Sequence, residues 1–177
     1  MPNYQIVDID LIGEWHPVRA FKTYWDRQAA GGEVPRRHQI NPAEIIGILP
    51  WLLVLEVRRF GSATEYHYRL AGTGCTELFG IDYTGKSLGD NLTPEGAEIR
   101  RREFRQLLDE GKPIFSTTNL PIKNRDFIRV HRGVFPVRAG EHGTDQIFVV
   151  IAPVTTEYLD RYRAAIYPPT PANNSAR

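Results

Sequence analysis

A chain of 177 residues has the usual size of one folded domain and is long enough to bury a sizeable hydrophobic core. Its 22 basic and 21 acidic residues give a net charge of +1, so no overall field attracts the protein to nucleic acid or to a membrane. The single cysteine excludes an internal disulfide bond and a metal site built from several cysteines. No run approaches the ~20 apolar residues of a membrane span and no basic leader is present, so we expect a cytoplasmic protein.

The first predicted element is an amphipathic helix over residues 18–30, which ends before two consecutive glycines. Phe21, Tyr24 and Trp25 recur at helical spacing and form one aromatic face. An aromatic face of this kind needs a partner, which is either the outer face of a sheet or the same helix of a second subunit. The sequence leaves this choice open.

A second helix is predicted after residue 41. Asn41 is a good helix cap and Pro42 suits the first helical position. This helix would give Ile45, Ile46 and Leu49 to the core before a proline closes it.

Two antiparallel strands follow. Residues 52–57 are almost continuously apolar, which is typical of a central strand covered on both faces. Residues 60–64 have the composition of a hairpin connection. Tyr66, Tyr68 and Leu70 then alternate with polar residues, which predicts a strand with one buried face.

A turn rich in glycine comes directly after this strand. Gly72 and Gly74 allow backbone angles that are closed to other residues, and Thr73 between them can cap the short helix predicted over residues 75–79. Gly80 stops this helix. Such single helical turns are typical of a chain that wraps around a cavity.

A long helix begins at Thr93 and the proline after it, carries Ile99 and Phe104 on its apolar face, and ends near Gly111. Further strands are predicted over residues 114–122, 127–137 and 146–153, with a hairpin tip at 140–143. The sequence therefore predicts five strands.

These elements, in this order, resemble a PAS domain, and most closely a short, stand-alone bacterial PAS subfamily. That subfamily carries an early aromatic helix, a Pro-Arg pair, an Asn-Pro or Asp-Pro helix start, an Arg-Leu-Ala-Gly-Thr turn and a hydroxyl-bearing residue before a glycine. The matching positions are Trp25, Pro35 with Arg36 and Arg37, Asn41-Pro42, residues 52–57, residues 69–73 and Thr84-Gly85. The resemblance continues to about Pro153.

The resemblance implies an α+β fold, with a five-stranded antiparallel sheet, helices wrapped on one face and an N-terminal helical extension. Residues 1–34 would form that extension, residues 35–155 the PAS-like domain, and residues 156–177 a helix remnant and a disordered, proline-rich tail. It also implies a homodimer, formed through the N-terminal helix or the sheet face, and a signalling protein as partner.

Five residues at family-motif positions are assigned structural roles, namely Arg36, Arg69, Gly72, Thr73 and Gly85. An arginine fork can hold loop carbonyls or a carboxylate in place, and a buried pair of this kind commonly fixes geometry. Alternatively, a cation near a pocket would favour an acidic small molecule.

A ligand pocket is predicted from strand alternation and the resemblance. Its lining would be Leu53, Leu55, Tyr66, Tyr68, Leu78, Phe79, Phe104, Ile128, Val130 and Val149. The same residues equally suit a plain hydrophobic core, because aromatic and aliphatic side chains at these spacings commonly fill interiors.

Haem and a covalently reacting flavin are disfavoured as cofactors. Some PAS domains hold haem through a histidine on the long helix, but residues 94–110 contain none, and His67 and His131 are interpreted as surface residues of strands. The Asn-Cys-Arg-Phe-Leu-Gln motif of light-sensing flavin domains is absent, and Cys75 is interpreted as a small buried helix residue.

The long helix also carries a basic patch, formed by residues 100–102 and Arg105. Glu98, Glu103 and Asp109 lie among these arginines, so we interpret the patch as a solvated helix face with local ion pairs. Binding of a phosphate-bearing second messenger is the alternative.

The predicted function is a non-enzymatic sensory or protein-interaction module in bacterial signal transduction, with a small molecule in its core pocket. No common catalytic motif is present. One alternative is a small cone-shaped enzyme of the isomerase or dehydratase type, which needs a base near a donor such as tyrosine. His67 lies between Tyr66 and Tyr68 but on the opposite strand face. A purely structural dimerisation module is the other alternative.

Overall fold

The computed structural model describes residues 4–120, 127–139, 143–155, 157 and 160. Within them the chain forms one antiparallel sheet with the strand order β1-β4-β5-β6-β2-β3. The strands are β1 Gln5–Ile6, β2 Leu52–Phe60, β3 Ala63–Ala71, β4 Ile114–Asn119, β5 Arg129–Val137 and β6 Gln146–Pro153. The helices are α1 Pro17–Gln28, α2 Thr73–Phe79 and α3 Pro94–Glu110. The predicted α+β class and antiparallel sheet are confirmed.

The sheet has one strand more than predicted within the described residues. Gln5 and Ile6 pair with Thr117 and Ser116 of β4, which adds β1 at the sheet edge. A strand of two residues is too short to show the alternation from which strands are recognised.

One face of the sheet, called the inner face here, is covered by α2 and α3. The buried side chains on it include Leu55, Tyr66, Phe104, Leu107 and Val130. Strand alternation placed Tyr66 and Tyr68 correctly, since both are buried in this core. It was wrong for Leu70, which is 43% exposed, because a register shift in the pairing of β2 with β3 interrupts the alternation before it.

The opposite face, called the outer face, is covered by α1. Phe21 and Trp25 of α1 pack against Phe135 and Phe148 of the sheet, with ring centroids 4.7 to 6.3 Å apart. The aromatic face of α1 is thus covered by the chain's own sheet. Of the two partners that the sequence left open, the structure has the sheet.

The predicted helix after Asn41 is wrong. Asn41 caps a single 3-10 turn, Pro42–Glu44, and a second one, Leu49–Trp51, leads into β2. Ile46 lies between them and is 49% exposed. The predicted helix was short, contained the poor helix former Gly47 and had to end before Pro50, so little intrinsic preference supported it.

The other differences lie at the ends of strands. The hairpin turn is tighter than predicted, because Phe60 pairs with Ala63. Strand β5 starts at Arg129, and Phe127 is 77% exposed. Residues 121–126 and 140–142 lie outside the described residues. The predicted helix remnant and tail over 156–177 also lie outside them, apart from residues 157 and 160.

Gly72 is required by close approach, not by its backbone angles. Its φ of −66° is open to any residue, and it is the N-cap of α2, so Thr73 is the first helical residue and not the cap as predicted. A Cβ at Gly72 would lie 2.2 Å from the Leu49 carbonyl oxygen and 2.4 Å from that of Pro50. The tight contact joins the start of α2 to the turn that precedes β2.

Candidate functional site

A cavity of about 70 Å³ lies between the inner face of the sheet and the segments that cover it. Strands β2, β3 and β6 supply one apolar wall, and α3 and the loop before it supply the other. The lining residues are Leu53, Leu55, Tyr68, Phe79, Tyr83, Asn91, Leu92, Arg100, Phe104, Thr118, Leu120, Arg132, Val149 and Ile151.

Six of the ten residues predicted for the pocket line this cavity. They are Leu53, Leu55, Tyr68, Phe79, Phe104 and Val149. Tyr66, Leu78 and Val130 belong to the same core without lining the cavity, and Ile128 packs against that core. Tyr66 stacks edge-on against Phe104, with ring centroids 5.1 Å apart.

Sequence reasoning missed the lining residues of the segment before α3 and the charged lining residues. Tyr83, Asn91 and Leu92 lie in the irregular segment before α3, where no periodicity reveals which side chains turn inward. Arg132 could have been found, because it is two residues from Val130 and therefore shares the inner face with it.

Two arginines, one glutamate and one tyrosine form an ion cluster at the wall of the cavity, consisting of Tyr4, Arg100, Glu103 and Arg132. Arg132 donates to Glu103 Oε1 at 2.5 Å, and Arg100 donates to Glu103 Oε2 at 3.5 Å. The Tyr4 hydroxyl donates to Glu103 Oε2 at 2.8 Å. The side chains of Glu103 and Arg132 are each 6% exposed. The cluster therefore ties the N-terminal segment, α3 and β5 together.

This cluster corrects the interpretation of the α3 charges as one solvated face. Arg101 and Arg102 do pair with Glu98 near the surface, as expected. Arg100 and Glu103 instead share a helix face with the buried Phe104 and Leu107, because residues three and four apart on a helix are neighbours. The basic run therefore divides between the surface and the interior.

The charges in the cluster do not balance. Burial acts to raise the pKa of Glu103, but the attraction of Arg132 and Arg100 and the hydrogen bonds from Arg132 and Tyr4 outweigh it, so its pKa lies below the usual value. Burial, with Arg132 nearby, lowers the pKa of Arg100 to about 10, which leaves the guanidinium charged at neutral pH. Two guanidinium groups against one carboxylate leave one net positive charge beside the cavity.

Tyr68, another lining residue, is a neutral phenol at neutral pH. Burial, and then the nearby Tyr83, raise the pKa of Tyr68 to about 12. The rings of Tyr68 and Tyr83 lie 5.1 Å apart, and Tyr83 also meets Phe79 edge-on. This end of the cavity is therefore aromatic and uncharged.

The two motif arginines lie away from the cavity lining. The Arg69 side chain is 63% exposed and donates to Glu56, so the pair is a surface contact and not the buried fork that was predicted. Arg36 is exposed as well. Its segment is held by backbone bonds, since Arg37 N–H donates to the Arg138 carbonyl and Arg138 N–H donates to the Pro35 carbonyl.

Two other motif residues support the segment after α2. Gly85 has a φ of +81°, in the left-handed region that favours glycine. The hydroxyl of Thr84 accepts a hydrogen bond from the Ala71 N–H at 3.2 Å.

The histidines among the described residues lie outside the cavity lining. His16, which sequence reasoning did not single out, is fully buried on the outer face, where its Nε2 lies 3.3 Å from the Ala152 carbonyl oxygen. His131 is half-buried, bonds the Thr117 hydroxyl, and has its ring centroid 5.0 Å from that of His16. Both belong to the packing of α1 against the sheet.

The cavity does not fit the cofactors considered from the sequence. Haem and flavins occupy pockets of several hundred Å³, compared with about 70 Å³ here. Cys75 is fully buried, and burial raises the pKa of its thiol. The described residues contain no group of three or more histidine, cysteine, aspartate or glutamate side chains that could hold a metal ion.

Among the helices of the described residues, none combines the length and apolar character that crossing a bilayer requires.

Comparisons with known proteins agree with the architecture. No curated protein shows significant similarity to the chain. One solved structure that the chain matches is described as "Structure of an RNA-binding Light-Oxygen-Voltage Receptor", with 16% identity and a TM-score of 0.42 over 75% of this chain. The match spans 39% of that receptor chain, and a likeness this distant supports no functional conclusion. The family model described as "PAS domain" matches residues 14–152, which is well over half of the sequence. The chain therefore belongs to the PAS domain family.

Proposed function

We propose that this PAS domain is a non-enzymatic sensor located in the bacterial cytoplasm. It binds a small molecule in its inner-face cavity and signals through a partner protein. PAS domains as a family are sensory and interaction modules. The observation that carries the proposal for this chain is the cavity, whose wall is largely apolar but includes two charged arginines, of which Arg132 is buried and Arg100 is partly exposed. A plain core would leave neither a cavity nor an uncompensated charge there.

Binding at this position would be coupled to the packing of α3. The cavity is lined by Arg100 and Phe104 from α3 and by Arg132 and Val149 from the sheet. A ligand that contacts both walls changes how firmly the helix is held against the sheet, and it can shift the equilibrium between two arrangements of α3. A partner that recognises the exposed side of α3 would then sense the occupied state.

The proposed homodimer would use the open part of the sheet's outer face. The aromatic face of α1 is packed on the chain's own sheet, so it is already occupied. Phe60 of β2 and Leu70 of β3 are 61% and 43% exposed. Alternation along β2 and the pairing of Val54 with Leu70 put both on the outer face, next to the area that α1 covers.

The enzyme alternative has one candidate base, and its environment argues against that role. Glu103 is a buried carboxylate beside the Tyr4 hydroxyl, but both of its oxygens accept hydrogen bonds from the cluster. Its pKa lies below the usual value, which makes it a weak base, and it does not line the cavity. General bases in enzymes usually have a raised pKa and reach the substrate.

Native mass spectrometry of the freshly purified protein tests the proposal. We expect a homodimer whose mass exceeds that of the denatured chains by a small molecule. The variant Val149→Phe, which fills the cavity from β6, should lose this extra mass. An apo protein, or extra mass that Val149→Phe keeps, would favour the structural dimerisation module instead.

A further inference from the structure

We propose that the ligand of the cavity is a small monocarboxylate, held by the guanidinium groups of Arg100 and Arg132, with its hydrocarbon part among the aliphatic residues. The inference rests on the proposed function, because it requires that the cavity binds a small molecule. It adds the charge, the size and the orientation of that molecule.

The charge of the ligand follows from the ion cluster. Arg100 and Arg132 line the cavity, and Glu103 neutralises only one of them. The aromatic neighbour Tyr68 adds no charge at neutral pH, since burial raises the pKa of Tyr68 to about 12. Arg132 and Glu103 are buried and Arg100 is only 18% exposed at its side chain, so water screens the excess charge incompletely. A monoanion brings this group of charges to neutrality, whereas a dianion such as a phosphate monoester would leave one negative charge in excess.

Arg100 has more N–H donors than its contacts with the described residues use. A guanidinium has five N–H donors, and among the described residues Arg100 donates to Glu103 at the long distance of 3.5 Å. Its other neighbour is the ring of Tyr4, whose centroid lies 5.4 Å from Cζ. Arg132, by contrast, is held by Glu103 at 2.5 Å and stacks over Phe104. A carboxylate that accepts two parallel N–H bonds from Arg100 is the geometry that guanidinium groups favour.

The rest of the lining sets the size and polarity of the tail. Leu53, Leu55, Val149 and Ile151 form an aliphatic wall. A cavity of about 70 Å³ is well below the roughly 300 Å³ at which pockets for drug-sized ligands begin, so it suits a headgroup with a short chain of a few carbons. A nucleotide is far larger than this, so the second-messenger alternative is not favoured for this cavity.

The test compares butyrate with butyramide, which has nearly the same shape but no charge, by following the methyl resonances of Leu53, Leu55, Val149 and Ile151 in NMR titrations. We expect butyrate to bind at least tenfold more tightly than butyramide. Arg100→Gln should weaken butyrate binding at least tenfold and butyramide binding little.

Arg105→Gln is the matched control. It removes the same charge from the same helix, but Arg105 is exposed and lines an open groove with Arg59 and Arg101, away from the cavity. Butyrate affinity should change less than twofold in this variant. Equal losses in both variants would mean that the general positive field of α3 attracts the anion, and would overturn the inference.

The outcomes separate the inference from the proposed function. Equal affinity for butyrate and butyramide in the unmodified protein would overturn the carboxylate inference while leaving a small-molecule sensor, and this comparison stands even if Arg100→Gln does not fold. If neither probe shifts the cavity resonances, the inference also fails, and native mass spectrometry then decides whether the sensor proposal survives.

Discussion

On the outer face of the sheet, aromatic rings fill the space under α1, whereas on the inner face the packing leaves a cavity of about 70 Å³ bordered by buried charges. Phe21 lies 4.7 Å from Phe135 and 6.0 Å from Phe148 between ring centroids, so the outer contact is made of closely fitted rings. The inner contact between α3 and β5 depends on a salt bridge between Glu103 and Arg132.

This difference indicates that the two faces of the sheet have different roles. Close-packed rings have few alternative arrangements of similar energy, which makes the outer face a rigid support. The inner contact also contains buried apolar side chains, but its polar part lies beside a cavity and is easier to rearrange, because water or a ligand can replace some of its hydrogen bonds. We therefore expect stability to depend on shape on the outer face and on charge on the inner face.

The largest effect is expected for Phe21→Ala, which removes a fully buried ring from the outer face. The free energy of unfolding should fall by about 3 to 5 kcal/mol, the usual cost of such a deletion. Urea denaturation followed by circular dichroism measures it. The control is Phe127→Ala, the same change at a side chain that is 77% exposed, which should cost about 0.5 kcal/mol or less. Similar losses in both variants would contradict the rigid outer face.

The next largest effect is expected for Glu103→Gln, which leaves the buried Arg132 and the partly exposed Arg100 without a carboxylate. Breaking a buried ion pair from one side costs about 3 to 5 kcal/mol. We expect the free energy of unfolding to fall by about 3 kcal/mol, because the adjacent cavity can admit water. The same urea experiment measures it, with the surface variant Glu98→Gln as control. A loss below about 1 kcal/mol would show that the inner face does not depend on this charge.

The smallest effect is a pH dependence that originates on the outer face. Burial, followed by the nearby His131, lowers the pKa of His16 to about 4. The unfolded chain binds a proton near pH 6.5 and the folded one does not, so stability is complete above pH 6.5 and falls as the pH drops toward 4. Between pH 7 and pH 5 we expect a loss of about 2 kcal/mol.

Urea titrations at several pH values measure this slope, and His16→Asn is the matched variant. Asparagine can still cap α1 by accepting from the Val18 N–H, as His16 Nδ1 does, but it does not titrate. His131 adds a smaller slope of the same sign, because burial and Arg129 also lower its pKa. A slope that His16→Asn leaves unchanged would assign the effect to other groups.

The sequence predicted best those elements that have regular patterns and clear ends. Alternation put Tyr66 and Tyr68 on the inner face, and Thr93 and Gly111 mark the two caps of α3 in the structure as predicted. The helix predicted after Asn41 failed because a cap does not ensure a helix in a short segment that contains Gly47 and ends at Pro50. Local sequence patterns therefore predict the type of a regular element well, but they predict short irregular segments poorly.

The charged part of the site was missed for a different reason. Glu103 and Arg132 are 29 positions apart, and no local pattern reveals that they meet. A charged side chain on a helix is usually solvated, so Glu103 was assigned to the surface. Two neighbouring helix positions that are strongly apolar, Phe104 and Leu107, already indicated which face turns inward.

The hydrogen bond from Tyr4 to Glu103 bears on where this domain begins. The family match starts at residue 14, but Tyr4 closes the ion cluster and Gln5 and Ile6 pair with β4. A fragment cut at the family boundary would keep every residue that lines the cavity and lose the phenol that holds Glu103. It would also expose the backbone edge of β4, a surface on which strands of other molecules can assemble. The structural domain of this chain therefore begins before residue 14, where the family match begins.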